Sequence, residues 1–290
     1  MSDAQAKVFD VAEMRVLCRA LASSGENFGF VPTMGALHEG HLTLVRRAVR
    51  ELGTCVVSIF VNPLQFNDPA DLEKYPRDLE RDVELLRGVG KVFVVTGTPE
   101  EIFGTIDMSS VPRAEPGPSA VGLEGAERPG HFEGVATVVR ALFELVRPTR
   151  AYFGAKDFQQ TLVVRELAAR LGYPEIVVCE TVREPDGLAL SSRNARLTPD
   201  ARERALTLSR ALFETREAWR IGVRRASRLR QILAEALTEP GVDVEYAAIR
   251  DPENFSDTPF GRMERAQALV AAKVGGVRLI DNLALDDVNR

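Results

Sequence analysis

The segment FVPTMGALHEGHLTLVRR, residues 30–47, contains the change from strand to helix that decides the fold. A short apolar run enters a glycine-bearing turn, after which apolar residues recur at helical spacing. Similar short runs alternate with helical segments, which is typical of a parallel sheet with crossover helices. We predict strands at residues 28–31, 55–61, 92–95, 151–153 and 176–179, and helices at residues 41–52, 79–87, 134–146 and 158–171.

The character of the sequence changes after about residue 182. Charged helices are predicted at residues 199–220 and 224–237, followed by strands at 242–249, 268–274 and 277–280. Residues 96–129 are rich in Pro, Gly and Ser and predict irregular loops, with room for one short strand. We therefore expect an α/β fold, with a Rossmann-like doubly wound parallel sheet in residues 1–182 and a smaller α+β domain in residues 183–290.

The composition limits the classes of function. The 290 residues are 45% hydrophobic with a net charge of -5, so a large core is possible and a nucleic-acid partner is not favoured. The basic run at residues 220–230 is typical of a solvated helix face. Cys18, Cys55 and Cys179 are far apart and predict reduced packing residues. No apolar run suits a signal peptide or a membrane span, so we expect a soluble cytoplasmic protein.

His38 and His41 lie at the predicted start of a helix, with Glu39 and Gly40 between them. Helix N-termini expose N–H groups that bind phosphate, and two imidazoles add donors, with Gly40 leaving room for close approach. A lone histidine is often structural, and H-x-x-H is also a metal-ligand spacing. Zinc would need a third protein ligand, however, and the remaining histidine, His131, lies in a separate loop motif. Phosphate binding is the favoured interpretation.

Polar clusters follow other predicted strands. Asn62 and Gln65 come after the second strand, where neutral amides suit hydroxyl and carboxyl recognition, although Asn-Pro is also an ordinary turn. Lys156 is a point charge for phosphate at the start of a helix. Asp78 and Asp82 could hold magnesium or mark an exposed helix start, and the helix start is favoured.

A further polar loop, at residues 188–194, lies near the predicted domain junction. It contains Ser191, Ser192 and Arg193, which could supply hydroxyls and a guanidinium to a polyphosphate. A solvated linker is the alternative for this loop.

Together these motifs resemble the pantothenate synthetases (pantoate-beta-alanine ligases), within the wider group of H-x-G-H nucleotidyltransferases. The resemblance spans nearly the whole chain and rests on PTMGALHEGH (32–41), SIFVNPLQF (58–66), YPRDLERD (75–82), RPGHFEGVATVV (128–139), FGAKDFQQ (153–160), VREPDGLALSSRN (182–194) and LIDN (279–282). It implies ATP, Mg2+, (R)-pantoate and β-alanine as ligands. It also implies a pantoyl-adenylate intermediate, release of AMP and pyrophosphate, a homodimer, and a C-terminal domain that acts as a lid.

The resemblance assigns roles to individual residues. His41 takes the family's proton-donor position with His38 beside it, while Gln65 and Gln160, together with Asn62, hold substrate. The implied ATP site consists of Met34, Gly35, Ala36, Leu37, His38, Glu39, Gly40, His41, Gly154, Ala155, Lys156, Asp157, Val182, Leu190, Ser191, Ser192 and Arg193. Lys156 and Arg193 complete the catalytic set on the phosphates. Ala155 stands where the family often has Glu, so we expect an effect on loop packing rather than loss of activity.

Two other functions remain open on the sequence. An adenylyltransferase of the H-x-G-H group would transfer AMP to a phosphate acceptor, and basic groups would then replace Gln65 and Gln160. A catalytically silent nucleotide-binding or RNA-binding protein would not need both histidines together with Lys156 and Arg193.

Overall fold

Short apolar segments of the first part of the chain pair into one parallel sheet. The computed structural model describes residues 6–67, 69–257 and 261–286. The strands are β1 Lys7–Phe9, β2 Gly29–Thr33, β3 Thr54–Ile59, β4 Lys91–Thr96, β5 Arg150–Gly154 and β6 Glu175–Cys179. They lie in the order β1-β4-β3-β2-β5-β6, and every neighbouring pair is parallel. The central strand β3 is buried at all but its last residue, which explains why apolar residues occupy the consecutive positions Cys55–Val57.

The connecting helices cover both faces of this sheet. They are α1 Val11–Ser23, α2 Glu39–Leu52, α3 Pro69–Glu73, α4 Leu79–Leu86, α5 Pro99–Phe103, α6 Glu124–Glu127, α7 His131–Val146 and α8 Phe158–Leu171. Neighbouring residues of a strand point to opposite faces. Accordingly Phe30 of β2 packs in a core with Phe143 of α7, whereas Val31 packs in a second core with Val45 of α2.

The C-terminal elements form a separate helix-on-sheet layer. Helices α9 Pro199–Arg220 and α10 Ala226–Ala236 precede strands β7 Val242–Arg250, β8 Gln267–Val274 and β9 Val277–Ala284. The three strands form an antiparallel meander. Leu212 of α9, Leu229 of α10 and Val270 of β8 belong to one continuous apolar core.

The predicted α/β fold with a smaller α+β part is confirmed, and every predicted helix and strand is present with ends shifted by a few residues. Strand β1 and helices α1 and α3 were not predicted. Residues 97–129, all of them described, contain no strand. Their turns form the short helices α5 and α6 and a 3-10 helix at Pro118–Ala120 instead.

The chain divides into two compact units, which differ slightly from the predicted domains. The first unit is Met1–Ala155 with Gln159–Glu180, and the second is Lys156–Phe158 with Thr181–Arg290. The division between them falls two residues before the expected boundary at 182. The short segment Lys156–Phe158 joins the second unit, which the sequence did not predict. None of the helices in the described part of the chain is long and apolar enough to cross a bilayer.

Candidate active site

The turn between β2 and α2 holds the two predicted histidines in a reciprocal capping arrangement. His38 is the N-cap of α2, and its Nδ1 accepts a hydrogen bond from the Gly40 N–H at 3.2 Å. The Nδ1 of His41 accepts from the His38 N–H at 3.3 Å. The ring centroids are 4.1 Å apart. The H-x-x-H pair therefore lies side by side at the N-terminus of a long helix.

These backbone bonds decide which ring nitrogen can donate to a ligand. A backbone N–H can only donate, so each Nδ1 must present a lone pair while the bond is made. In the neutral form of each ring, the proton is consequently on Nε2. The turn thus places Nε2–H groups of His38 and His41 at the positive end of the α2 helix dipole, which favours an anion there.

Gly40 makes room for the His38 ring rather than for a ligand. A Cβ atom at this position would lie 2.9 Å from both Cε1 and Nδ1 of that ring. Such a distance is too short for a van der Waals contact, so any side chain here would displace the imidazole. The glycine of H-x-G-H is therefore required for the position of its first histidine.

Asp82 of α4 fixes the backbone of the turn. Gly35 and Ala36 have φ values of 79° and 50°, and a left-handed conformation is costly for alanine. The Asp82 carboxylate accepts from the Ala36 N–H at 2.9 Å and from the Leu37 N–H at 2.7 Å, with only 1% of Asp82 exposed. Burial raises the pKa of Asp82, against the lowering effect of these two hydrogen bonds.

The two acidic residues of the 75–82 segment have different surroundings. Asp78 is the N-cap of α4 and accepts from the Arg81 N–H at 3.0 Å, which fits the favoured helix start. Asp82 is buried, so an exposed position was the wrong expectation for it. Its partner Leu37 is 45 residues away in sequence, and no local pattern could have indicated the contact.

Asn62 and Gln65 form a hydrogen-bonded pair after β3. Asn62 is 1% exposed, and its Nδ2 donates to Gln65 Oε1 at 3.0 Å and to the Gly134 carbonyl at 3.1 Å. Its Oδ1 accepts from the Leu64 N–H at 3.2 Å. Gln65 is half-buried, with Nε2 at 3.0 Å from the sulfur of Met34. Asn62 thus orients Gln65, and Gln65 lies next to the histidine turn.

The backbone of Gln65 is held by two residues to which the sequence assigned no role. Arg128 donates to the Gln65 carbonyl at 3.1 Å, and His131 Nδ1 lies 2.9 Å from the same oxygen. Because a carbonyl only accepts, Nδ1 carries the proton in this contact. The buried His131 therefore positions Gln65. His131 is part of the RPGHFEGVATVV motif, but the motif alone did not indicate this role.

The adjacent glutamines at the start of α8 have different surroundings. Gln159 is 2% exposed, and its Oε1 accepts from the Glu124 N–H at 3.0 Å. Its Nε2 donates to the carbonyls of Ser119 at 2.9 Å and Gly122 at 3.0 Å. Gln159 therefore ties the 119–124 loop to α8. Gln160, the predicted pantoate ligand, is half-buried beside it.

The first-unit residues meet at one edge of the parallel sheet. Strands β3, β2 and β5 are neighbours, and the direction of strand order reverses at β2. Their carboxyl ends lead to Asn62 and Gln65, to the histidine turn, and to Gly154, respectively. Parallel α/β sheets bind ligands in the crevice at such a position.

The predicted residues of the second unit form two groups. The Leu190 N–H donates to the Val182 carbonyl at 3.0 Å, so these two residues lie together. Ser191 caps the 3-10 helix Ser192–Arg196, and its Oγ accepts from the Arg193 N–H at 3.2 Å.

The other group, Lys156 and Asp157, lies in the 3-10 helix Ala155–Asp157, which follows β5 and whose first residue belongs to the first unit. The Nζ atom of Lys156 lies 3.6 Å from Asp157 Oδ1. Ala155 is half-buried at the position where the family often has Glu, and its effect on activity stays a prediction.

The described part of the chain contains no group of three or more His, Cys, Asp or Glu residues that could hold a metal ion. Cys18, Cys55 and Cys179 are buried free thiols, as predicted for packing residues. Burial raises the pKa of Cys18 to about 12 and also raises the pKa values of Cys55 and Cys179, so these thiols are not activated nucleophiles.

Comparisons with known proteins agree with these motifs. A sequence profile of the family described as Pantoate-beta-alanine ligase matches residues 7–284. Pantothenate synthetase from Rubrobacter xylanophilus is 50% identical over 279 residues, which cover 94% of this chain and 96% of that protein. The crystal structure of pantothenate synthetase from Thermus thermophilus superposes with a TM-score of 0.87 at 45% identity, covering 96% of this chain and 99% of that one.

A solved structure with bound ligands is also similar. Pantoate-beta-alanine ligase from Francisella tularensis, complexed with beta-gamma ATP and beta-alanine, is 32% identical with a TM-score of 0.78 and covers 97% of this chain and 98% of that one. The resemblance found in the motifs is therefore confirmed, and the chain belongs to the pantoate-beta-alanine ligase family of enzymes.

Proposed function

We propose that the chain joins (R)-pantoate to β-alanine in two ATP-dependent steps. A pantoate carboxylate oxygen attacks the α-phosphorus of ATP. The bond from that phosphorus to the oxygen between the α- and β-phosphates breaks, and pyrophosphate leaves. The amine of β-alanine then attacks the acyl carbon of pantoyl adenylate. The bond between that carbon and the phosphate-linked oxygen breaks, AMP leaves, and the amine loses a proton to give pantothenate.

The observation that carries this proposal is the reciprocal capping of His38 and His41. It fixes the tautomer of both rings, with the proton on Nε2, and places the rings at a helix N-terminus. In the proposed first step, His41 donates to the phosphate oxygens on the pyrophosphate side as negative charge builds there, and His38 binds beside it. Donors that are already oriented stabilise such charge without reorganisation in the transition state.

We assign pantoate to the neutral amides. Gln65, oriented by Asn62, and Gln160 would bind its hydroxyl and carboxylate groups, with Gln65 also reaching β-alanine. Neutral amides suit these groups better than they suit a phosphate acceptor, because a site for a phosphate acceptor would contain basic side chains. This difference favours acid activation over transfer of AMP to a phosphate.

The remaining predicted residues would bind ATP. Lys156 and Arg193 are proposed on its phosphates, with the hydroxyls of Ser191 and Ser192 as further donors. ATP is supported as a ligand by the complex of the Francisella tularensis relative. Magnesium commonly binds through substrate phosphates, water and few carboxylates, so the described residues are compatible with Mg2+ arriving with ATP, and we assign it no protein ligand. When bound, it would neutralise phosphate charge.

Several expectations from the sequence and from the family resemblance remain proposals. These are the homodimer, the cytoplasmic location, the domain limits at 1–182 and 183–290, and the action of the C-terminal domain as a lid. Sedimentation velocity across a range of protein concentrations would test the homodimer, because a monomer at micromolar concentration would contradict it.

Exchange of labelled pyrophosphate into ATP tests the first step. With Mg2+ and no amine, we expect exchange only when pantoate is present, since the adenylate must form reversibly. Exchange without pantoate, or none with ATP bound, would contradict the proposal. Adding β-alanine should then yield pantothenate and AMP in equal amounts, whereas AMP transfer to a phosphate acceptor would support the adenylyltransferase alternative.

A further inference from the structure

Lys156 belongs, by its contacts, to the C-terminal unit. The segment Lys156–Phe158 groups with residues 181–290, although the residues on both sides of it belong to the first unit. The side-chain Nδ2 of Asn282, on β9, donates to the Lys156 carbonyl at 2.7 Å. The rings of Phe158 and Phe255 also lie 6.3 Å apart, centroid to centroid. The backbone that carries Lys156 is therefore held by residues more than 90 positions later in the chain.

The orientation of the Asn282 amide is fixed by its neighbours. The Lys156 carbonyl can only accept, so the atom facing it must be the amide nitrogen. The Oδ1 of Asn282 then accepts from Nε2 of Gln267, on the adjacent strand β8, at 2.7 Å. Asn282 and Gln267 are 5% and 4% exposed, so water competes little for these bonds.

The preceding residue of β9 holds the other predicted phosphate-binding segment. The Asp281 carboxylate accepts two bonds from Arg183, at 2.6 and 2.9 Å, and the Asp281 side chain is 2% exposed. Arg183 also donates to the carbonyls of Gly187 at 3.0 Å and Asn282 at 3.2 Å. It forms an isolated β-bridge with Ala189, shortly before Ser191–Arg193.

Two consecutive residues thus connect segments that are distant in sequence. Asp281 anchors the hairpin that leads to Arg193, and Asn282 anchors the backbone of Lys156. We infer that Asn282 is a positioning residue, with Gln267 orienting its amide, and that it sets Lys156 in a fixed relation to the Ser191–Arg193 segment for binding the ATP triphosphate. This inference rests on the phosphate-binding roles proposed above for Lys156 and Arg193.

Such positioning has a physical value that differs from stability. Both cations lie on short 3-10 helices, and the spacing of two charges that bind one polyphosphate must be correct before the ligand arrives. A displacement of about 1 Å at a reacting group can lower the rate by about 10²-fold. Loss of the Asn282 bond should therefore weaken ATP use specifically.

Asn282→Asp is the most direct test, because it keeps the shape and an acceptor for Gln267 but replaces the donor that faces the Lys156 carbonyl. In the pantoate-dependent exchange assay, we expect kcat/KM for ATP to fall by about 10- to 100-fold. Pantoate affinity, measured by calorimetry without ATP, should stay within about two-fold, because Gln65 and Gln160 belong to the first unit. Exchange kinetics for ATP within two-fold of the parent protein would overturn the inference, as would an equal loss in pantoate affinity.

Thr215→Val is the matched control for a purely structural effect. Thr215 is fully buried in α9 of the same unit, and its Oγ1 donates to the Ala211 carbonyl at 2.8 Å. This substitution should lower the melting temperature while leaving kcat/KM for ATP unchanged. A loss of ATP use in the control equal to that in Asn282→Asp would show that general destabilisation explains both, which would also overturn the inference.

If Asn282→Asp does not fold, the variant Gln267→Met tests the positioning role of Asn282 instead. Methionine keeps the volume but removes the donor that orients the Asn282 amide, so we expect a smaller loss in the same direction, about 3- to 10-fold. Unchanged ATP kinetics in this variant would refute the positioning role.

The failure of this inference is distinct from failure of the proposed function. If the parent protein shows no pantoate-dependent exchange, the proposed function fails. Calorimetric binding of a non-hydrolysable ATP analogue to the parent and Asn282 variants then still tests the positioning. Weaker binding only in the variant supports it, and equal binding contradicts it.

Discussion

Substituting Asp82 by Asn tests how far the histidine turn depends on a buried carboxylate. The two oxygens of Asp82 accept separate bonds, from Ala36 at 2.9 Å and from Leu37 at 2.7 Å. Asparagine retains one acceptor oxygen and places an NH2 group opposite the second N–H. One backbone donor therefore loses its partner inside the protein.

The magnitude follows from that unpaired donor and from the strained turn. A buried unsatisfied N–H costs about 1–3 kcal/mol, so the free energy of unfolding should fall by about that amount. Ala36 has a φ value of 50°, a conformation that persists only while its surroundings enforce it. When the turn relaxes, His38 and His41 shift, and we expect turnover in the exchange assay to fall by about 10- to 100-fold.

Asp78→Asn, on the same helix, is the control for this prediction. Asp78 caps α4 through one bond to the Arg81 N–H, and asparagine caps a helix equally well. Urea unfolding and exchange kinetics of this variant should match the parent. Parental turnover at saturating substrates in Asp82→Asn would refute the reasoning, because it would show that the turn keeps its geometry without the carboxylate.

The raised pKa of Asp82 provides a further test, because stability and turnover should depend on pH in opposite directions. Burial raises this pKa above that of the unfolded chain. The part of the Asp82 contribution to stability that depends on its protonation is therefore fully present below the unfolded pKa and is lost as pH rises through the folded pKa. This part is separate from the two backbone bonds that the carboxylate accepts. Turnover should instead fall as pH decreases through the folded pKa, because a neutral carboxyl cannot accept both backbone bonds equally. Asp82→Asn should lack this Asp82-dependent part of both pH profiles, measured by urea unfolding and exchange rates.

His41→Ala should lower turnover by about 10² or more while the protein still unfolds cooperatively, because one preorganised donor contributes roughly 2.7–4 kcal/mol to the transition state; near-parental turnover would remove His41 from the mechanism. Gly40→Ala should lower exchange rates because its Cβ would lie 2.9 Å from the His38 ring, and unchanged rates would show that the ring position is unimportant. Gln160→Ala should weaken pantoate binding in calorimetry with little loss of stability, whereas Gln159→Ala should lower the melting temperature, because three hydrogen bonds of the buried Gln159 side chain tie the 119–124 loop to α8. The opposite assignment of effects to the two glutamines would contradict the substrate site.

Elements with a strong local pattern could be predicted from the sequence. The strand Thr54–Ile59 is buried on both faces and contains consecutive apolar residues, and the helix Pro199–Arg220 begins at a Thr-Pro pair that caps it. Strand β1, Lys7–Phe9, is too short to show a period. Helix α1 was missed although Asp10 and Glu13 form a capping box, a signal that could have identified it.

The parts of the site that the sequence did not predict depend on contacts between residues distant in the chain. Asp82 bonds to a turn 45 and 46 residues earlier, and Asn282 bonds to a carbonyl 126 residues earlier. No local sequence pattern reports such pairs. The histidine pair was predictable because spacing, glycine and helix start occur together in one short segment, whereas its capping bonds required the structure.

Turnover of pantoate labelled with oxygen-18 in its carboxylate tests the central claim, activation of an acid as its adenylate, most directly. The attacking carboxylate oxygen stays on phosphorus when the amine displaces AMP, so mass spectrometry should find one labelled oxygen in AMP and none in pyrophosphate. Unlabelled AMP, or label in any other phosphate product, would contradict the account.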